Sequence, residues 1–389
     1  MHNTEVSTVS VQEDIRQLGE ILRQCFNMPA SYWPVYAERL GAENLRVVRR
    51  AGQIAGGLGI YRMGQWFGGK SLPMAGLAAV GVAPEHRGTG VAATLLAQTL
   101  EELHSEGVPV SGLYASTQNL YRKVGYEQAG HLCRFSVPAS SLIPGEHGLS
   151  MEPVNPARHE VFHLLYTERA RATNGNLDRN RAVWERLVLP KDTDDVRAYL
   201  LGPTDQPEGY LIYSQQTTGS ILRVWDLTAL TPAAMHRIWT FFADHRSLVD
   251  EVVWPGPVCE PFLTILPEQT YRIVHLERWM LRIVDVPGAL SRRGYPVGVE
   301  AELHLEVRDD LLAANRGRFV LKVSEGQSKV IAGGRGEMQL SVRGLVPLYT
   351  GLQTPYQLQS TGHLDATPAA LASAARLFSG PEPWMSDHF

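Results

Sequence analysis

The period of the apolar positions changes several times between Leu72 and Tyr126. Leu77-Ala-Ala-Val-Gly-Val82 is a run of small and β-branched residues that fits a buried strand. Pro84 ends it, because proline has no N–H to give to a ladder. A turn carrying Arg87-Gly88-Thr89-Gly90 follows. From Val91 the spacing becomes helical, through Ala92, Leu95, Leu96, Thr99, Leu100 and Leu103, and Gly107 supplies a stop. Val110 to Ser116 reads as a second strand, Gln118 to Val124 as a short helix, and Gly125-Tyr126 opens a third strand.

The same reading extends along the chain. A short strand near Val6 precedes an amphipathic helix with Ile15, Leu18, Ile21, Leu22, Cys25 and Phe26 on one face. Tyr32, Trp33 and Tyr36 stand in a proline-bracketed loop, with Tyr36 read as packing. Leu45–Arg50 and Ile54–Met63 read as paired strands about Ala51-Gly52, and Gln128–Val137 as a strand closing this region. Beyond Pro144-Gly145, helices are expected near residues 160–173 and 181–187. Strands follow at Val196–Leu201, Gly209–Gln215 and Ile221–Leu227, then a helix from Pro232 to Ser247 and a strand at Glu251–Trp254. After Arg278–Ile283 the segments Gly298–Val307, Arg318–Ser324 and Glu337–Ser341 alternate as antiparallel strands do. Val342–Tyr349 and the Ala-rich Pro368–Leu377 read as helices. The fold class expected is α+β.

Composition narrows the classes without choosing among them. A length of 389 residues suggests two or three domains, and 44% apolar residues is ordinary for a soluble chain. A net charge of −4 gives no reason to expect nucleic acid or a membrane surface as a partner. No segment approaches eighteen apolar residues, and the N-terminus lacks the basic start and apolar core of a signal peptide. Cys25, Cys133 and Cys259 are odd in number and far apart, so all three are expected as buried thiols in a reducing cytoplasm.

Two motifs match on letters and fail on context. Gly64 to Ser71 fits G-x-x-x-x-G-K-S, but Leu72-Pro73 and a strand follow where a phosphate-binding helix is required. It is read as a hairpin connection. His159-Glu160-Val161-Phe162-His163 has the two-histidine spacing of zinc peptidases without a third ligand, so it is read as a surface-lying helix and no metal is expected.

The strand, glycine turn and helix around Arg87 have a chemical use. The first amides of a helix lack internal partners and sit at the positive end of its dipole. Glycines let a phosphate approach them, and Arg87 adds fixed positive charge. The spacing Arg87, Gly90, Ala92, with Asn119-Leu-Tyr121 and Gly125-Tyr126 about thirty residues on, resembles the acetyl-CoA signature of GNAT N-acetyltransferases. AGLAAVGVAPEHRGTG, LYASTQNLYRKVGY, RWMLRIVDVPGAL and an aromatic last residue together resemble the Eis (enhanced intracellular survival) acetyltransferases. That family often has several consecutive arginines in the turn, where this chain has Arg87 alone.

The resemblance implies tandem GNAT folds followed by a sterol-carrier-protein-like domain. The division is residues 1–140, 141–285 (a second GNAT-like domain without the cofactor turn) and 286–389, whose terminus reaches the active site. The activity implied is acetyl transfer from acetyl-CoA to primary amines such as aminoglycosides, polyamines or lysine side chains. The strand before the turn would splay from its neighbour and take the pantetheine arm, using Val80 and Val82, with Arg87, Gly88, Thr89, Gly90 and Val91 on the pyrophosphate and Ser116 and Asn119 also on the cofactor. Tyr121 would be the general acid and the α-carboxylate of Phe389 the general base, with Phe26, Trp33, Tyr114 and His388 lining the amine site. A homo-hexamer is implied too. The alternatives are a non-catalytic acyl-CoA or lipid-binding protein and an assembly scaffold.

Overall fold

The structure, a computed structural model, describes residues 4–188, 195–216 and 219–389. The chain divides into two compact units, one of residues 1–129, 279–380 and 389, the other of residues 130–278 and 381–388. The elements of the N-terminal region are β1 (Thr4–Thr8), α1 (Gln12–Phe26), α2 (Tyr32–Leu40), β2 (Leu45–Arg50), β3 (Gln53–Phe67), β4 (Lys70–Val82), α3 (Val91–Ser105), β5 (Val110–Tyr114), α4 (Gln118–Lys123) and β6 (Glu127–Pro138). β1 through β4 pair antiparallel in sequence order, and β4 then runs parallel to β5 through α3. Leu95, Leu96, Leu100 and Leu103 of α3 are fully buried against Leu58, Ile60 and Leu77 of the sheet. That burial is what turns the helical period after Val91 into a packed helix.

Two tight turns have their reasons in backbone conformation. Gly68 and Gly69 both have positive φ (58° and 81°), which gives β3–β4 a two-residue hairpin with Phe67 opposite Lys70. The P-loop lettering is therefore a hairpin turn, as expected. Ala51 and Gly52 do the same between β2 and β3. The expected loop at Tyr32 is instead α2. Pro34 lies in its first turn, where the missing N–H has no ladder to break.

The second unit holds β7 (Met151–Val154), α5 (His163–Arg171), β8 (Leu177–Asp178), α6 (Arg181–Val188), β9 (Val196–Leu201), β10 (Gly209–Gln216), β11 (Ile221–Ala229), α7 (Pro232–Asp244), β12 (Glu251–Gly256) and the start of β13 (Arg272–Ile283). β7, β9, β10 and β11 pair antiparallel, β11 lies parallel to β12 across α7, and β12 pairs with Cys133–Pro138 of β6. Trp239, Phe242, Trp254 and Phe135 lie at the centre of its core. The β11–α7–β12 crossover repeats β4–α3–β5. His159 departs from its expected surface position: it is buried in a single 3₁₀ turn before α5, with its ring stacked on Trp184 at 5.8 Å. Its Nδ1 lies 3.1 Å from His163 Nε2, and Glu160 is exposed.

The remaining elements rejoin the first unit: α8 (Val286–Arg292), β14 (Ala301–Arg308), β15 (Gly317–Ser324), β16 (Gln327–Ala332), β17 (Met338–Ser341), α9 (Val342–Thr350), α10 (Pro355–Ser360), β18 (Leu364–Ala366) and α11 (Pro368–Leu377). Their sheet runs β16-β15-β14-β17-β18. Contrary to the expected antiparallel array, β17 lies parallel to β14, with Leu305 opposite Met338. Alternation reports which face a side chain takes, not strand direction. Trp279–Ile283 of β13 pairs with β5, and Arg282, fully buried, forms an ion pair at 2.6 Å with Asp309 in the following region. Arg343 reaches Glu127 at 2.6 Å. The three cysteines are free but not alike: Cys133 is buried, Cys25 partly buried and Cys259 exposed. Among the described residues no helix is long and apolar enough to cross a membrane, and no cluster of three or more His, Cys, Asp or Glu is placed to hold a metal.

Candidate active site

The glycine turn sits at the end of a strand that has parted from its neighbour. β4 and β5 pair only from Met74–Gly76 to Val110–Gly112. β4 continues six residues further to Val82 and β5 two further to Tyr114, with no ladder between them among the described residues. A bulge accompanies the parting: the β3–β4 register shifts between Gly57 and Gly59, and Ala79 takes φ 51°. Bulges re-aim a strand at the cost of ladder pairing. The result is an open strip of backbone running past Val80 and Val82, both partly buried.

That strip leads into the turn. Gly88 and Gly90 have φ of 74° and 87°, and a Cβ on either would meet nothing within 4 Å. Glycine is thus required there by conformation rather than by crowding. Thr94 is the first residue to close a helical turn, its amide 3.0 Å from the Gly90 carbonyl, so the amides of Val91, Ala92 and Ala93 precede the ladder. No side chain caps α3. In the second unit the equivalent helix α7 is capped by Thr231, whose Oγ1 accepts from the Ala234 amide and donates to the Glu208 carboxylate. An anion is thus welcome at the start of α3 and displaced by Glu208 at the start of α7. The exposed Arg87 folds back so that Nε donates to the Val82 carbonyl at 3.2 Å. Thr89 Oγ1 donates to the His86 carbonyl. Open glycines, unpartnered helix amides and a guanidinium are a donor set that fits a pyrophosphate.

Tyr121, on α4, is 5% exposed and meets Tyr126 edge-on at 6.0 Å. Burial pushes its phenol up to about 12, so it carries its proton throughout the neutral range. No group among the described residues hydrogen-bonds its hydroxyl. Tyr126 is already engaged: Ser111 Oγ donates to the Ala75 carbonyl at 2.8 Å and accepts from the Tyr126 hydroxyl at 2.7 Å. Ser116 and Asn119 are both exposed, around the start of α4.

Phe389 is 6% exposed. Its ring lies 5.9 Å from Tyr114 and 6.1 Å from Tyr61. It also presses on Gly76, where a Cβ would come within 2.5 Å of its Cε2. Gly76 is the last β4 residue paired to β5, so the ring marks the point where the strands part. Tyr61 and Tyr36 continue an aromatic row (6.3 Å), which ends in Trp33 (5.7 Å from Tyr36). Trp33 is buried with its indole N–H on the Ile15 carbonyl at 3.0 Å, so it supports the row from behind. Phe26 is 44% exposed at the end of α1 and makes no ring contact among the described residues. Sequence reasoning missed Tyr61 and Gly76. A glycine inside a strand is the one available hint, since it often marks a close approach.

The tail preceding Phe389 is held within the second unit. Trp384 N donates to the Asn174 carbonyl (2.9 Å), Met385 N to His131 (3.0 Å) and Asn176 Nδ2 to the Trp384 carbonyl (3.0 Å). Arg179 Nε donates to both oxygens of Asp387 at 2.9 and 3.1 Å, while its Nη1 reaches Asp226, which Arg169 also pairs. Burial opposes the Asp226 charge, but Arg169 and Arg179 outweigh it and hold the carboxyl at about 2. The tail is therefore built structure rather than a frayed end. His388 is exposed in this unit.

Comparison with known proteins agrees with this architecture. Acetyltransferase (GNAT) domain models match residues 6–129 and 175–283, and a sterol carrier protein domain model matches residues 286–386. The N-acetyltransferase Eis of Mycobacterium tuberculosis is 30% identical over 322 residues, 77% of this chain and 76% of that protein. The crystal structure of a GCN5-related N-acetyltransferase from Anabaena variabilis is 49% identical and superposes with a TM-score of 0.97, over 100% of both chains. One from Kribbella flavida is 26% identical with a TM-score of 0.89, covering 100% of this chain and 99% of its own. A chain that matches these relatives along its length, and not at the glycine turn alone, belongs to the Eis-like family of GNAT N-acetyltransferases, with two GNAT domains followed by a sterol-carrier-type domain.

Proposed function

We propose that this chain moves an acetyl group from acetyl-CoA directly to a primary amine of the aminoglycoside, polyamine or lysine type, with Tyr121 as general acid and the α-carboxylate of Phe389 as general base. The observation that carries the reading is the seat of Phe389 on Gly76, at the parting of β4 and β5 and in the same compact unit as Tyr121 and the glycine turn.

Acetyl-CoA supplies the activated thioester. The amides of Val91 to Ala93, opened by Gly88 and Gly90 and helped by Arg87, hold its pyrophosphate. The backbone strip from Val80 to Val82 pairs with the extended pantetheine arm and gives N–H groups to the carbonyl oxygen as it gains charge. An alkyl ammonium ionises near 10 and must lose a proton before it attacks. The Phe389 carboxylate takes that proton, through a water. The nitrogen bonds to the carbonyl carbon and gives up a second proton to solvent as the amide forms. The carbon–sulfur bond breaks, and Tyr121 gives its proton to the departing thiolate and is reprotonated from solvent. A phenol at about 12 is protonated in the resting enzyme, as that step needs.

CoA release measured over an amine panel tests the proposal. Tyr121→Phe lowers turnover about 10²- to 10⁴-fold while acetyl-CoA affinity stays close to wild type. Deleting Phe389 does the same. Tight acyl-CoA binding without amine-dependent CoA release would instead make the chain a binding protein. A homo-hexamer is proposed on the family resemblance alone, and light scattering of the purified chain tests it.

A further inference from the structure

A crevice of about 370 Å³ lies wholly within the second unit, away from any residue given a part in acetyl transfer above except His388. Its charge is lopsided. Arg134 from β6, Arg186 from α6 and Arg223 from β11 line it, against the carboxylates of Glu277 and Asp387. Asp387 is already taken by Arg179, which donates to both of its oxygens. Glu277, the other carboxylate, lies 3.3 Å from His275. Arg186 and Arg223 have no carboxylate partner among the described residues.

Arg223 is also fixed in place. Its guanidinium lies over the Trp225 ring at 5.2 Å, and the Trp225 indole N–H donates to Ser214 Oγ at 3.0 Å. A guanidinium stacked on an anchored aromatic ring keeps its N–H edge free and loses little freedom when it binds. Like charges such as Arg186 and Arg223 on one crevice wall repel one another, and an anion bound between them relieves that repulsion. Val183, Val253 and Pro255 give the crevice apolar wall beside these charges. Its volume suits a small metabolite.

The geometry points to a second ligand site here, for a small molecule bearing a carboxylate or phosphate, gripped by Arg186 and Arg223 with its apolar part against the β-strand wall. The acetyl-transfer reading is not needed for it.

Calorimetric titration of the full chain at low salt tests this, with inorganic phosphate and succinate as probes and uncharged succinamide as control. Saturating CoA is present throughout, so that phosphate at the glycine turn does not contribute. Phosphate or succinate binds and succinamide does not, and the anion that binds more tightly tells a phosphate ester from a carboxylate as the natural group. The double variant Arg186→Gln, Arg223→Gln weakens that binding by about 10- to 100-fold, the loss expected for charge-assisted hydrogen bonds. Should the double variant fail to fold, Arg223→Gln alone gives about a tenfold loss. The inference is overturned if neither anion binds at tens of millimolar, if succinamide binds equally well, or if the folded variants bind the anions as the wild type does.

Discussion

Replacing Gly76 with alanine probes the seat of Phe389 without touching any group assigned to chemistry. The added Cβ would lie 2.5 Å from Phe389 Cε2, 2.8 Å from its Cδ2 and 2.5 Å from Met63 Cε. Ordinary contact begins near 3.4 Å. The methionine methyl can swing aside, because it ends a flexible side chain. The phenylalanine ring is confined between Tyr61 and Tyr114, so it must move by about 1 Å and carry its backbone with it. Overpacking of this kind costs about 1–3 kcal/mol of stability, which leaves a folded protein. A misplacement of about 1 Å in a reacting group costs roughly 10² in rate. The expected result is a turnover about a hundredfold lower, with acetyl-CoA affinity unchanged and Tm down by a few degrees. The companion variant Gly76→Ala, Phe389→Leu keeps the terminal carboxylate while removing ring atoms, and it recovers part of the lost turnover. Gly76→Ala with wild-type turnover in a folded protein would refute the placement of the base.

Gly90→Ala meets no steric obstacle, so its effect is conformational: a φ of 87° costs an L-residue about 1 kcal/mol, and the turn relaxes. Calorimetry should then show acetyl-CoA binding about tenfold weaker, whereas unchanged affinity would remove the turn from the binding site. Glu260 gives a pH signature. It is buried with Oε1 accepting the Phe262 amide, and burial raises its carboxyl to about 7 from an ordinary 4.5. A raised acid favours the fold below pH 4.5 and loses that advantage as pH climbs through 7, by an amount on the order of 3 kcal/mol. Glu260→Gln keeps the acceptor and drops the charge. Denaturation from pH 4.5 to 8 should show it equal to wild type in acid and more stable at pH 8, and parallel profiles would exclude Glu260 as the source.

By itself the sequence determined the local elements and the family. The period change at Val91, Pro84 before it, and Gly88 and Gly90 between them specify strand, turn and helix, because these are constraints a few residues impose on their own backbone. The Gly68-Gly69 hairpin was legible for the same reason, since the missing helix after Ser71 disqualified a phosphate loop. Tertiary structure decided what depends on partners remote in sequence. Alternation in Met338–Ser341 says which side chains face inward, but only packing against β14 sets its parallel direction. No local signal buries His159 against Trp184 or pairs Arg179 with Asp387, 208 positions away. Nor does any short-range rule bring Phe389 onto Gly76, or gather Arg134, Arg186 and Arg223 around one crevice. Those contacts form because burial rewards apolar surface wherever the chain brings it together, and charges left inside that surface must then find one another.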